Sequence, residues 1–472
     1  MTQSENHSIY QIAGRTLGND MGVAQSEKLA KRPWLAAALW MLFLGPFFFL
    51  VWGLCNWITS LRSDVGTFYF GWEKSIPFVP WMIIPYMSID LFFAGSTFLC
   101  STKAELNTLV KRIIFAIFIS AAGFLLFPLR LGYVRPETSP TFDQSFDLLA
   151  FLIGDFNLFP SLHISLRWII WHVYRRHTRG LLKIFLGAWF VLIALSTVLG
   201  YQHHVIDVIG GDMVAILSFY LFREPNPSVK DSGLLDQPQK NVRVGWNYAM
   251  LSLLSFLLAY TGWPWSIILI WPALALAIIA SAYFGVGPSI FRKTRGRLPF
   301  SAVALLGPYL LGAYLSSLYY RRLSQPYCDV AAGIVLGRKL GEHEAQEAIR
   351  HGVTAVLDLT AEYAECHRFL LLPYLNFQIL DLTVPSLSQL QEAVEFTRKH
   401  SGTGKVYVHC SLGYSRSACA VAAYLLADGT APTVEKALEI IRRERPEIVL
   451  KDNWISVLRA YQDQKANFRA SV

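Results

Sequence analysis

Residues Val408 to Ser417 read Val-His-Cys-Ser-Leu-Gly-Tyr-Ser-Arg-Ser. A β-rich run over Lys405–His409 delivers Cys410 into a short loop, and a helical run over Ser417–Ala427 leaves it. A strand, a loop and a helix in that order can cradle a phosphate. The backbone N–H groups of Ser411, Leu412, Gly413, Tyr414, Ser415 and Arg416 can turn inward, the helix adds the positive end of its dipole, and the Arg416 guanidinium can hold two oxygens at once. The same field lowers the pKa of the Cys410 thiol, so a thiolate nucleophile is expected at neutral pH. The plain alternative is a buried cysteine ending a strand. A chance match at five fixed positions in a chain of 472 residues is on the order of once in ten thousand, which disfavours it.

The string His409-Cys410-x2-Gly413-x2-Arg416-Ser417 resembles the signature of the protein tyrosine and dual-specificity phosphatases, and the resemblance extends from about Tyr327 to Gln464. It implies that Cys410 attacks phosphorus to form a cysteinyl-phosphate, that Arg416 binds the equatorial oxygens, and that Ser417 helps Cys410 leave during hydrolysis. It also implies an aspartate proton donor on a loop roughly thirty residues upstream. Asp381, in Ile379-Leu380-Asp381-Leu382-Thr383-Val384-Pro385, stands there; Asp358, inside the apolar strand Val353–Leu359, is the alternative. No metal or cofactor is expected, since the cradle and Arg416 supply the positive charge. The runs Asp381–Ser386, Val406–Cys410 and Ala422–Leu425 are similar to the phosphatidylglycerophosphate phosphatase branch of that family, which implies a lipid phosphomonoester. The loop Ser411–Ser415 holds no Lys or Arg to meet additional phosphates, so a single phosphate is expected. The family resemblance leaves open a phosphoprotein substrate carrying phosphotyrosine, phosphoserine or phosphothreonine.

The composition says where such a catalyst works. With 53% hydrophobic and 16% charged residues and a mean hydropathy of +0.37, the chain is too apolar for an ordinary soluble enzyme. The apolar residues concentrate before Arg321, and the remainder alternates like an α/β domain. The six cysteines form no CxxC pair, which points to a reducing compartment. The net charge of +9 comes largely from short basic clusters between apolar runs, so it indicates membrane topology rather than a nucleic-acid partner.

The expected spans are Trp34–Ile58, Phe78–Cys100, Ile113–Leu129, Leu162–Tyr174, Leu181–Leu199, Val205–Phe222, Trp246–Thr261, Trp265–Phe284 and Pro299–Tyr320. Basic clusters at Lys103–Arg112, Arg175–Arg179 and Arg292–Arg297 fall on one side if the N-terminus is cytoplasmic. Nine crossings place Cys410 outside, where an oxidising milieu suits a thiolate badly. Pro299–Tyr320, interrupted by Gly307-Pro308 and followed by Arg321 and Arg322, is therefore expected to be re-entrant or interfacial. The reading divides the chain into a polar tail (1–33), a six-helix membrane domain (34–222), a linker (223–245), further membrane segments (246–320) and a catalytic domain (321–472). The fold class is thus a polytopic α-helical membrane domain fused to an α/β dual-specificity phosphatase-like domain with a largely parallel sheet. The expected location is a bacterial inner (plasma) membrane with the catalytic domain cytoplasmic, and the expected partners are the lipid bilayer and a phospholipid or phosphoprotein substrate.

A second constellation lies among the first six spans: Phe159-Pro160-Ser161-Leu162-His163 and, on the next outer loop, Ser196-x6-His203-His204-Val205-Ile206-Asp207. An imidazole can attack phosphorus, and a carboxylate at i+4 can hold its other nitrogen. The pattern resembles the type 2 phosphatidic acid phosphatase superfamily, most closely its inositol phosphorylceramide and sphingomyelin synthase branch. That resemblance makes His203 the nucleophile, Asp207 its orienter and His163 the proton donor. Thr197 stands where the hydrolases carry arginine and Pro128 where they carry lysine, so Arg130 or Arg135 is the candidate phosphate-binding cation. Phosphoalcohol transfer and a non-catalytic lipid-holding role both fit these departures.

Overall fold

The computed structural model describes residues 32–154, 156–224, 240–262 and 265–470. Most of the expected polar tail and most of the expected linker lie outside the described residues. The chain forms two compact units, residues 1–228 and 229–472.

The first unit is helical. It comprises α1 (Trp34–Ser60), α2 (Ile83–Leu99), α3 (Lys103–Leu126), α4 (Pro140–Ile153), α5 (Leu162–His177), α6 (Gly180–Leu199) and α7 (Val205–Leu221). α1 is apolar on all sides yet buries only Ala37, Leu44, Cys55 and Thr59, so most of its apolar surface is left uncovered by the rest of the chain. α3 buries Leu106, Leu109, Val110, Ile113 and Ile117 against Leu166, Ile169 and Ile170 of α5. Its start is fixed by Thr102, whose Oγ1 accepts from Glu105 N at 3.2 Å, while Glu105 Oε2 accepts from Ser101 N at 2.9 Å. Ser161 starts α5 in the same way, accepting from Ile164 N at 3.3 Å; each such cap contributes about 1 kcal/mol. α4 lies in a stretch where the sequence reading placed no helix; Pro140 in its first turn and a run of apolar residues from Phe146 form it.

The second unit opens with two apolar helices, α8 (Val242–Thr261) and α9 (Ile270–Ser281), and continues through α10 (Phe300–Leu305) and α11 (Gly307–Arg321). Six helices of the described chain are long and apolar enough to cross a membrane: Trp34–Ser60, Pro80–Leu99, Lys103–Leu126, Gly180–Leu199, Val242–Thr261 and Ile267–Val286. α5 and α7, both expected as spans, have 16 and 17 residues, short of the roughly 20 that a crossing needs. The expected span Pro299–Tyr320 is two helices, interrupted at Leu306 where Pro308 enters the first turn of α11.

The α/β domain that follows contains β1 (Tyr327–Ala331), β2 (Ile334–Arg338), α12 (Glu342–Arg350), β3 (Val353–Asp358), β4 (Tyr374–Asn376), α13 (Leu387–Ser401), β5 (Lys405–Cys410), α14 (Arg416–Asp428), α15 (Val434–Glu444) and α16 (Asp452–Ala470). The sheet order is β1-β2-β5-β3-β4, antiparallel between β1 and β2 and parallel elsewhere. The strand expected over Asp329–Leu336 is instead a hairpin. It folds at Gly333, whose φ of +73° is costly for any residue with a Cβ. The strand expected over Asn376–Leu380 lies two residues earlier. Asn376 Nδ2 donates to the carbonyls of Asp358 and Thr360, both at 3.0 Å, and Phe377 N donates to Asp358 O at 2.9 Å, after which Gln378–Leu380 lead toward the site. Side chains of period two cover the faces: Val335, Val353, Val356 and Tyr407 on one, Ile334, Leu336, Leu357, Val406 and Val408 on the other. α14 is buried from Arg416 to Ala427, enclosed by the sheet and by α13, α15 and α16.

Candidate active site

Cys410 is the last residue of β5, paired in register with Arg338 of β2. Gly413 N and Ser417 Oγ each donate to its Sγ at 3.3 Å. The loop's carbonyls are tied outward. Ser411 O accepts from Lys339 N at 3.2 Å and Tyr414 O from Val449 N at 3.1 Å. Leu412 O and Gly413 O each accept from Arg445 at 3.0 Å. With its carbonyls held on the outside, the loop presents its N–H groups to the cradle, as an anion nest requires. Gly413 has φ +78°, and a Cβ there would lie 2.7 Å from Gly337 O, so both backbone and space demand glycine. Burial alone pushes the Cys410 thiol up. The Arg416 charge, the Ser417 hydroxyl and the backbone N–H groups of Ser417 and Gly413 outweigh it and bring the pKa below its ordinary value.

Arg416 is 1% exposed. Its Nη2 donates to Glu362 Oε1 at 2.8 Å and its Nη1 to Glu362 Oε2 at 3.1 Å, and Nη1 also reaches Ile379 O at 2.8 Å. This bidentate pair fixes the plane of the guanidinium facing the cradle. Burial disfavours the cation, yet Glu362 and Asp381 raise its pKa further, so it stays charged. Asp381 Oδ1 lies 3.3 Å from Arg416 Nη2, and the Asp381 side chain is 57% exposed, beside the cradle and open to substrate. Asp358, the alternative, is fully buried and already committed. Its carboxylate accepts from Lys293 Nζ and Tyr374 OH, both at 2.6 Å, and from Thr360 N at 2.8 Å. Burial opposes its charge, but Lys293 and His409 hold it well below the usual carboxylate range.

His409 is also buried, with Nε2 3.0 Å from Glu365 Oε2 and 4.0 Å from Asp358 Oδ1. Burial favours the neutral ring; Glu365 and Asp358 prevail and raise its pKa. The donor atoms of Asp358, Glu365 and His409 lie within 4.8 Å of one another, a set able to hold a metal, and the Lys293 ammonium bonded to Asp358 brings positive charge there. Lys293 has a role beyond membrane topology. It belongs to the basic run Arg292–Arg297, and its amine is buried against Asp358 and Thr360 rather than solvated. Glu362, Glu365, Lys293 and Arg445 were not singled out from sequence, because no local spacing links them to Cys410.

The first unit gathers the second constellation. Ser161 N donates to Asp207 O at 2.9 Å, joining the two loops, and His203 Nδ1 lies 3.5 Å from Asp207 Oδ2. His163 stacks on Tyr86 at 4.1 Å, and Tyr86 lines a cavity with His203, Gln202 and Arg135. His163 Nε2 and Asp207 Oδ1 are buried and find no hydrogen-bond partner among the described residues. Arg135, rather than Arg130, shares that cavity with His203, while both arginines line a second cavity nearby.

Residues 335–464 match the family model described as the dual specificity phosphatase catalytic domain, and residues 84–221 match the PAP2 superfamily model. Among curated proteins, the mouse phosphatidylglycerophosphatase and protein-tyrosine phosphatase 1 is 38% identical over 93 residues, covering 19% of this chain and 47% of that protein. The human protein of the same name is 38% identical over 19% of this chain and 45% of its own length. Mouse dual specificity protein phosphatase 19 is 31% identical over 143 residues, 28% of this chain and 63% of its own. The chain thus spans about half the length of the first two of these relatives. Among solved structures, PTPMT1 in complex with PI(5)P aligns with 31% of this chain and 99% of its own, at 24% identity and a TM-score of 0.29. The chain joins a PAP2-superfamily segment to a dual-specificity phosphatase catalytic domain in one polypeptide.

Proposed function

We propose that this protein is an integral membrane phosphatase that hydrolyses phosphate monoesters of membrane phospholipids, of the phosphatidylglycerophosphate or phosphatidylinositol phosphate type. The observation that carries the reading is a buried cysteine of lowered pKa, in a loop of inward N–H groups, beside an arginine held in plane by Glu362. The Cys410 thiolate attacks phosphorus and forms the S–P bond as the P–O bond to the alcohol breaks, while the Asp381 carboxyl gives its proton to the departing oxygen. Water then attacks the cysteinyl-phosphate, Asp381 takes a proton from it, and the S–P bond breaks to return the thiolate, steadied by Ser417 Oγ. The lipid assignment is supported by the relatives whose names include phosphatidylglycerophosphatase and by the apolar helices α8 and α9 within the same compact unit. Those names also include protein-tyrosine phosphatase, so a phosphoprotein is the competing substrate.

The catalytic domain is placed, in this reading, on the cytoplasmic side of a bacterial plasma membrane. Lys293 and Gly296 bond directly to it through Asp358 and Glu365 N, which supports residues before Pro299 and after Tyr320 sharing one side, with α10 and α11 not crossing. Compartment reporters fused after Thr294 and after Gln464 are expected to agree. A second reading, lipid phosphotransfer at His163, His203 and Asp207, is favoured by Arg135 lining the same cavity as His203.

The test is phosphate release by the purified full chain from vesicles containing phosphatidylglycerophosphate, beside a phosphotyrosine peptide, for wild type, Cys410→Ser and His203→Ala. Lipid turnover lost in Cys410→Ser and kept in His203→Ala is the expected result. Peptide turnover with the lipid untouched transfers the assignment to protein dephosphorylation. Lipid turnover lost only in His203→Ala transfers it to the first unit.

A further inference from the structure

The loop that carries Asp381 is held by residues from outside the α/β domain. Tyr283, in the turn that follows α9, donates its hydroxyl proton to Asp381 O at 3.0 Å. Asn241, the residue before α8, donates from Nδ2 to Leu382 O at 3.0 Å. Neither donor is free to swing. Tyr283 is buried and stacks on Tyr248 at 5.7 Å, while the Asn241 Oδ1 caps α8 by accepting from Val244 N, so its amide nitrogen must face the loop. Leu380, just before the acid, packs in one apolar cluster with Ile279, Tyr283, Phe291 and Ala361.

Between the two held carbonyls the backbone is in an unfavourable state. Leu382 has φ +59°, a left-handed conformation that a leucine adopts only when its surroundings impose it. The grips on Asp381 O and Leu382 O supply that imposition. In the resulting conformation the Asp381 carboxylate stands 3.3 Å from Arg416, at the cradle.

We propose that Tyr283 and Asn241 are positioning residues for the proton donor, so that the apolar α8–α9 hairpin sets the acid loop of the catalytic domain. The inference rests on Asp381 being that donor. It makes proton donation, rather than nucleophilic attack, the step that depends on the packing of the hairpin.

The consequence depends on the leaving group. An alkoxide needs a proton as the P–O bond breaks, whereas the weakly basic p-nitrophenolate departs without one. The experiment measures kcat/KM of the full chain in detergent for p-nitrophenyl phosphate and for a short-chain alkyl phosphate. The variants are Tyr283→Phe, Asn241→Ser and their double, with Asp381→Asn as reference. Tyr283→Phe removes one oxygen, and Asn241→Ser retains a capping hydroxyl, so both are expected to fold; a melting curve checks this. The alkyl-to-aryl ratio is expected to fall on the order of tenfold in each single variant and further in the double, in the same direction as in Asp381→Asn. The basic limb of the pH profile for the alkyl substrate is expected to flatten with it. A ratio that falls in Asp381→Asn but stays at the wild-type value in the double variant overturns the positioning role alone. A ratio unchanged in Asp381→Asn overturns the proton-donor assignment and the positioning role together.

Discussion

Cys410 receives an N–H and an O–H donor at 3.3 Å and faces a buried guanidinium, so its titration reports the field of the cradle. The rate of alkylation by iodoacetamide, followed against pH, is expected to show a midpoint below the ordinary cysteine value of about 8.5. Ser417→Ala removes one donor and is expected to move that midpoint upward and to slow breakdown of the cysteinyl-phosphate. The second effect is visible as a burst of alcohol release that outruns phosphate release. A midpoint unmoved in Ser417→Ala means the hydroxyl plays no part in the field. Cys410, Arg416 and Ser417 were legible in the sequence because one loop must carry them all, which fixes their spacing. Asp381 was legible only through family resemblance. Glu362, which holds Arg416 in plane, was not legible, since its partner stands 54 positions away and no periodicity connects them.

At the scale of elements, the phosphate loop is a backbone shape that side chains from elsewhere enforce. Arg445 is 1% exposed and bonds the carbonyls of Gln325, Leu412 and Gly413. Truncation to alanine leaves those acceptors without their donor, and a buried unsatisfied group costs about 1–3 kcal/mol. Arg445→Ala is therefore expected to destabilise the protein by several kcal/mol and to lower turnover more than substrate binding, since the N–H groups lose their fixed aim. Thermal unfolding and a kcat and KM comparison check both parts; full stability with full turnover would sink the argument. Gly413→Ala attacks the same shape from the inside, through its φ of +78° and the contact at Gly337 O. Apolar periodicity located helices such as α13 and the capped start of α15 at Thr433. It merged β1 with β2 because only Ala332 and Gly333 divide them, and it placed β4 late because Asn376 begins the apolar run in sequence, whereas its side-chain amide bonds to the carbonyls beside it and ends the strand.

At the scale of the molecule, apolar helices and the α/β domain share one compact unit. The drop in hydropathy falls at Arg321, and the compact unit of residues 229–472 holds α8 to α11 on one side of that point and the α/β domain on the other. Lys293 is one of the residues that join them: its amine is buried as the cation for Asp358, at the end of the strand next to the one that carries Cys410. Removing one member of a buried ion pair typically costs 3–5 kcal/mol because the other charge is left without compensation. Lys293→Met, which keeps most of the apolar stem, is expected to lower the stability of the full chain by about that much at neutral pH. The pH dependence identifies the cause. In the wild type the Asp358 pKa is depressed, so its contribution is fully present above the ordinary carboxylate value near 4 and is lost as pH falls through the lowered one. Without Lys293 the buried carboxyl takes up a proton more readily in the folded state than in the unfolded one, and the deficit shrinks as pH falls toward 5. Melting temperatures of wild type and Lys293→Met in detergent, at pH 7.5 and pH 5, are thus expected to lie closer together at the lower pH. An equal gap at both values would mean that Lys293 contributes only its packing, and a catalytic domain cut at Arg321 would then lack contacts but no compensating charge.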